Sequence, residues 1–216
     1  MRILFVLSLF FAPLLAGDVV PKSAALSDVL EDVKEKGTRR LQRRRETIED
    51  WLSRRGAFTT LVSLLVATGL APDGPFDQPG DFTLFAPTNN AFDYTFSTYP
   101  GLDAFLTSPE GEGALLTVLQ YHVLATRVLA GNIPRSGVTV ETLSGERLTA
   151  FRHCYGWWGW RYCDVYLQDG TADYAQVTHA NFRVNNGVIH AIDKVLIPPS
   201  LAPTVEALRV NRGFGH

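Results

Sequence analysis

FRVNNGVIHAIDKVLIPP, residues Phe182 to Pro199, decides the fold. Asn186-Gly187 between two apolar runs is the strongest short-range signal for a two-residue hairpin, because both central residues of a type I′ turn need φ > 0. The run that follows, Val188 to Ile197, is apolar on both alternating faces. Val188, Ile192 and Leu196 point one way; Ile189, Ala191, Val195 and Ile197 point the other. A strand of that kind is covered on both sides and belongs in the interior of a layered domain. Pro198-Pro199 ends it, since neither residue can donate to a ladder.

Helical signals lie upstream. Thr47, with Asp50 three residues on and Gly56 as a stop, frames one short helix. Phe58, Leu61, Leu64 and Leu65 trace the stripe of a second, with Gly69 as its C′ residue. Phe82 to Ala86 is a short apolar strand ended by Pro87, and Thr88, Asn89 and Asn90 can each cap the segment that follows. Leu102–Leu106 and Ala114–Leu119 read as further short helices. Tyr121 and His122 fall at a helix-to-strand junction, which a buried pair hydrogen-bonded to the backbone would hold. Strand signals dominate afterwards, at Val138 to Val140, Arg147 to Phe151 and Ala175 to Val177, with Ser144-Gly145-Glu146 as a turn. Helices first and strands later is the pattern of an α+β domain.

Three motifs in this order carry a resemblance. FTLFAPTNNAF at Phe82 to Phe92, Tyr121-His122, and NGVIHAIDKVLIPP at the end resemble the signatures of fasciclin-like (FAS1) domains, over residues 47–199. The resemblance implies N-terminal helices packed on a mostly antiparallel β-sandwich or wedge. It also implies a non-catalytic adhesion or extracellular-matrix module. In animal relatives the tyrosine-histidine region is associated with integrin-mediated adhesion, so Tyr121 and His122 are candidate binding residues beside their structural reading.

The chain has 216 residues, 46% of them hydrophobic, which suits one globular domain with extensions. Its net charge of −2 hides an asymmetry: from Glu46 onward 17 acidic residues stand against 11 basic ones. A domain this acidic is a poor partner for nucleic acid. Met1 to Gly17 has one early arginine, an apolar run and small residues at its end, the layout of a cleaved secretory signal and too short for a membrane span. Residues 18–46 form an extension dominated by Arg39, Arg40, Arg43, Arg44 and Arg45. That run reads as a solvated linker, a dibasic processing site or a contact for an anionic surface. Residues 200–216 read as a tail without a lipid-anchor signal.

The chain departs from the family at residues 152–165, where Cys154 and Cys163 enclose three of the four tryptophans. Pairing Cys154 with Cys163 sets Tyr155 opposite Tyr162 and leaves Trp157 to Trp160 as a turn. With two cysteines and an oxidising compartment, one intramolecular disulfide is expected, stabilising by about 2–3 kcal/mol through loop closure. Tyr155, Trp157, Trp158, Trp160 and Tyr162 exceed what so short a ribbon can bury. They either form a contact surface, being large and rigid, or fold back over the domain as a lid.

No phosphate loop, nucleophile elbow or metal-spaced motif occurs, so neither catalysis, a cofactor nor a metal is expected. His190 and Asp193 lie three apart on a strand and face opposite ways. The resemblance, with the leader segment, implies a secreted, single-domain adhesion module, located outside the cell or in a cell wall. Its expected partner is a cell-surface or matrix protein. The alternative is a polysaccharide bound by the Trp-rich hairpin, and self-association through that hairpin is a further mode. Nucleic-acid binding and stable membrane insertion are not expected.

Overall fold

The computed structural model describes residues 31, 34, 46–71, 74, 80–156, 162–171 and 173–210. The expected signal segment, the arginine run and Trp157, Trp158 and Trp160 lie outside the described residues. The chain divides into two units, Met1–Leu41 and Gln42–His216, and the fold is that of the second.

Local chemistry sets the helix ends. Helix α1, Ile48–Ser53, starts with a capping box: the Thr47 hydroxyl accepts the Asp50 N–H and the Asp50 carboxylate accepts the Thr47 N–H, both at 3.2 Å. Helix α2, Thr59–Ala67, closes at Gly69, whose φ is +69°. There Leu70 N–H reaches the Leu65 carbonyl and Gly69 N–H the Val66 carbonyl, satisfying two terminal acceptors. Helix α3, Asn89–Thr98, is capped by Thr88. Asn89 ties it back to α2 by accepting the Thr60 N–H at 3.1 Å. Helices α4, Leu102–Leu106, and α5, Glu112–Tyr121, complete the cluster.

The strands are β1 Phe82–Pro87, β2 Val123–Leu124, β3 Val138–Glu141, β4 Arg147–Tyr155, β5 Tyr162–Gln168, β6 Tyr174–Val184 and β7 Gly187–Ile192. They form one sheet in the order β2-β1-β7-β6-β5-β4-β3. All neighbours are antiparallel except β1 and β7, which run parallel from Phe82↔Gly187 to Pro87↔Ile192. Strand β6 serves both halves. Tyr174 to Gln176 pair with β5, Val177 to Val184 pair with β7, and register shifts around His179 bend the strand between them. The sheet thereby folds on itself into a wedge.

Strand β7 separates two apolar cores. Ile189, Ala191, Val195 and Ile197 pack with the helices, while Ile192 and Leu196 pack inside the wedge with Leu148, Ala150, Val165 and Leu167. These are the two faces expected from the alternation, each buried side chain contributing roughly 1.5–3 kcal/mol. The ladder itself stops at Ile192 rather than Ile197.

Two further details differ from the sequence reading. Val184 pairs with Gly187, so the turn residues are Asn185 and Asn186, and neither they nor Gly187 take a positive φ. The turn is docked rather than free. Asn186 Oδ1 accepts the Ile48 N–H at 2.9 Å, and Asn185 N–H donates to the Glu46 carbonyl at 2.8 Å. Glycine is required at 187 because a Cβ there would collide with the Phe82 carbonyl of the parallel neighbour. The residues past Pro199 also include a helix, α6, Ala202–Val210, which places Val205 in the helix-side core.

Candidate functional site

Strands β4 and β5 pair through to their tips, with Phe151↔Tyr166, His153↔Asp164, Cys154↔Cys163 and Tyr155↔Tyr162 directly opposed. Cys154 and Cys163 are bridged by a disulfide. Period-two alternation puts the cysteines on the same face as the buried Ala150 and Val165. Every aromatic of the pair therefore stands on the reverse, outer face.

Tyr155 and Tyr162 are 52% and 61% exposed, and their rings stack at 6.2 Å with 28° between planes. The Tyr155 hydroxyl donates to Asp164 Oδ2 at 2.9 Å. That bond to a carboxylate, with its charge, raises the tyrosine's pKa. The imidazole of His153 lies 6.1 Å from the Tyr155 ring. Further along the same face Phe151 stacks on Tyr166 at 5.7 Å, and Tyr174 of β6 meets Phe151 edge-on at 5.5 Å while remaining 47% exposed. Phe151, Tyr166 and Tyr174 were not singled out by the cysteine loop. The signal that finds them is parity: odd positions on β4 and even positions on β5 and β6 share one face.

Tyr121 and His122 lie inside. The Tyr121 hydroxyl donates to the Arg147 carbonyl at 2.8 Å, joining α5 to the start of β4, and burial pushes its pKa up. His122 Nε2 accepts the Leu196 N–H at 2.9 Å, so its Nδ1 carries the proton and donates to the Val118 carbonyl at 2.7 Å. Burial lowers its pKa to about 4, with the Val118 hydrogen bond opposing. Both side chains are spent on the fold and are 0% and 1% exposed.

His190 repeats the arrangement across the wedge. Its Nδ1 accepts the Asn181 N–H at 3.3 Å, its Nε2 donates to the Val128 carbonyl at 2.9 Å, and its ring stacks on Phe85. Asn181, at φ +66°, uses its side-chain oxygen to accept the Ala130 N–H at 2.9 Å. Asp193 accepts the Gln176 N–H at 2.7 Å. Among the described residues no group of three His, Cys, Asp or Glu side chains is placed to hold a metal ion, and no helix is long and apolar enough to cross a membrane.

Comparison with known proteins follows the same lines. The Fasciclin domain family model matches residues 56–198. Protein sll1483 of Synechocystis is 35% identical over 145 residues, covering 66% of this chain and 68% of that protein. The pig (Sus scrofa) transforming growth factor-beta-induced protein ig-h3 is 32% identical over 143 residues, covering 66% of this chain and only 18% of its own length. Among solved structures, a FAS1 domain pair from the insect cell adhesion molecule Fasciclin I aligns with a TM-score of 0.49 at 20% identity, covering 65% of this chain and 45% of that one.

Proposed function

The chain belongs to the fasciclin domain family, and from that premise we propose that it is a secreted, non-catalytic adhesion module whose contact surface is the outer face of the β4–β5 ribbon. The observation that carries this reading is the half-exposed, stacked pair Tyr155 and Tyr162, backed by the Cys154–Cys163 bridge. Large rings held rigid at a strand tip offer contact area at little entropic cost. Trp157, Trp158 and Trp160 lie between the two tyrosines in the sequence. Secretion is supported by the apolar leader-like segment at residues 1–17 and by the disulfide, which suits an oxidising compartment. The partner is a component of a cell surface or extracellular matrix. Tyr121 and His122 act from within, as framework for the wedge.

The test is attachment. Purified wild type and a Tyr155→Ala/Tyr162→Ala double variant are immobilised, and binding of cells and of deposited matrix is compared. Loss of attachment in the double variant with an unchanged melting temperature supports the reading. Equal attachment by both proteins sinks it.

A further inference from the structure

Resting on that reading of the outer face, we propose that its ligand is a linear, uncharged polysaccharide lying along β4 and β5. Two aromatic groups form the platform. Tyr155 with Tyr162 makes one; Phe151 with Tyr166 and the edge-on Tyr174 makes the other. Tyr155 and Phe151 stand four positions apart on one strand, which at about 3.3 Å per residue sets the groups roughly 13 Å apart, the span of about two to three hexose rings in an extended chain.

What lies between the rings selects the partner. His153 and Asp164 face each other midway along the stretch. Asp164 is already oriented by the Tyr155 hydroxyl, so its carboxylate stands fixed at the level where a sugar hydroxyl would sit. Next to the second group, alternation brings Thr149, Gln168 and Gln176 onto the same face. A carboxylate acceptor and amide and hydroxyl groups set beside ring faces match a hexose, which presents C–H groups to an aromatic and hydroxyls at its edges.

Charge argues in the same direction. Across the outer face of β4 and β5 the ionised side chains are Arg147, near one end, and Asp164, in the middle. An acidic glycan or a nucleic acid would need a basic stripe, and this face lacks one among the described residues. An apolar protein surface would meet Asp164 between the two ring groups and leave its carboxylate without a partner for its remaining acceptor sites.

The experiment is retention of the full secreted chain on insoluble neutral polymers (cellulose, xylan, β-1,3-glucan and chitin), with heparin and polygalacturonate as charged comparators. The expected result is saturable retention on at least one neutral polymer, weakened about ten-fold by Tyr155→Ala and again by Tyr174→Ala. Tyr94→Ala, at an exposed tyrosine outside the platform, should bind like wild type. If Tyr155→Ala misfolds, Tyr155→Phe keeps the ring and must retain more binding than Tyr155→Leu. Retention on no neutral polymer, retention on the charged polymers alone, or variants indistinguishable from wild type would each overturn the proposal. Sedimentation showing a dimer that Tyr155→Ala dissolves would assign the face to a second copy instead and overturn it too. Tyrosine-dependent cell attachment without polysaccharide binding would leave the adhesion reading standing and remove only this one.

Discussion

Leu196 donates its backbone N–H to Nε2 of His122 at 2.9 Å, while the other ring nitrogen of the same histidine serves the Val118 carbonyl. The ring thus pins the segment after β7 to the end of α5, and it can do so only when neutral. A proton on Nε2 would set two donors against each other.

Acid should therefore loosen the fold in a defined window. The folded-state pKa of His122 is about 4, below the ordinary 6.5. Above pH 6.5 the ring is neutral folded and unfolded, and its stabilisation is fully present. As pH falls toward 4 the unfolded chain takes up the proton and the folded one does not, so stability drops, by about 3 kcal/mol in total for this gap. His190, whose pKa is also lowered by burial, adds in the same direction. Urea unfolding at pH 7 and pH 4.5 measures the sum. In His122→Phe the difference between the two pH values should shrink; an unchanged difference would show that another group is responsible.

Gly187→Ala should cost about 2–3 kcal/mol, within the range for overpacking a filled site. The new methyl meets the Phe82 carbonyl and Ile48 Cδ1; the strand cannot recede without breaking β1–β7 pairing, nor helix α1 without stretching the Ile48–Asn186 hydrogen bond. Gly145→Ala is the comparison. Its φ of +81° is strained for alanine, but nothing lies within 4 Å of the added carbon, so its cost should be near 1 kcal/mol. Denaturant midpoints of the two variants decide; equal losses would mean that packing at Gly187 is loose.

These two sites mark what can be read in advance. The two faces of β7 follow from alternation alone, and the Thr47 box and Gly69 stop follow from the backbone groups each must satisfy. The turn residues do not. Asn185 takes the place of Gly187 in the turn, which is held by Asn185 N–H on the Glu46 carbonyl and by the Asn186 amide oxygen on Ile48, 138 residues away in sequence. No local rule contains either partner. The bulge at Asn181 likewise depends on His190 and Ala130, each on a different element. The aromatic face follows from parity along β4 and β5, but Tyr174 joins it only through the pairing of β6 with β5, which no local pattern contains. Helix α6 carried a weak signal in Leu201, Val205 and Leu208, spaced three and four apart.

Opening the disulfide should act locally. With its ends nine positions apart in the chain, it constrains the unfolded ribbon by about 2–3 kcal/mol. In Cys154→Ser/Cys163→Ser, amide exchange at Tyr155 and Tyr162 should accelerate, while β1 and β7, buried on both faces, keep their protection. Binding to the partner should weaken with it, since the tyrosines lose their fixed register. Unchanged exchange at the tip would mean that the ring stack alone holds the ribbon.

Glu146 should prove to be the fastening of helix α6. Its two carboxylate oxygens accept the Ser200 N–H at 2.9 Å and the Ser200 hydroxyl at 2.7 Å, joining the β3–β4 turn to the chain just before the helix. The helix then inserts Val205, 1% exposed, into the helix-side core. Val205→Ala removes two methyl groups from that site and should cost about 1–3 kcal/mol. Glu146→Ala leaves the methyls but frees the anchor, at about 1 kcal/mol because the pair is exposed. If the two act through the same docking step, the double variant should lose less than the sum of the singles, a coupling that a double-mutant cycle in urea resolves. Strict additivity would mean that the helix docks through Val205 independently of the turn.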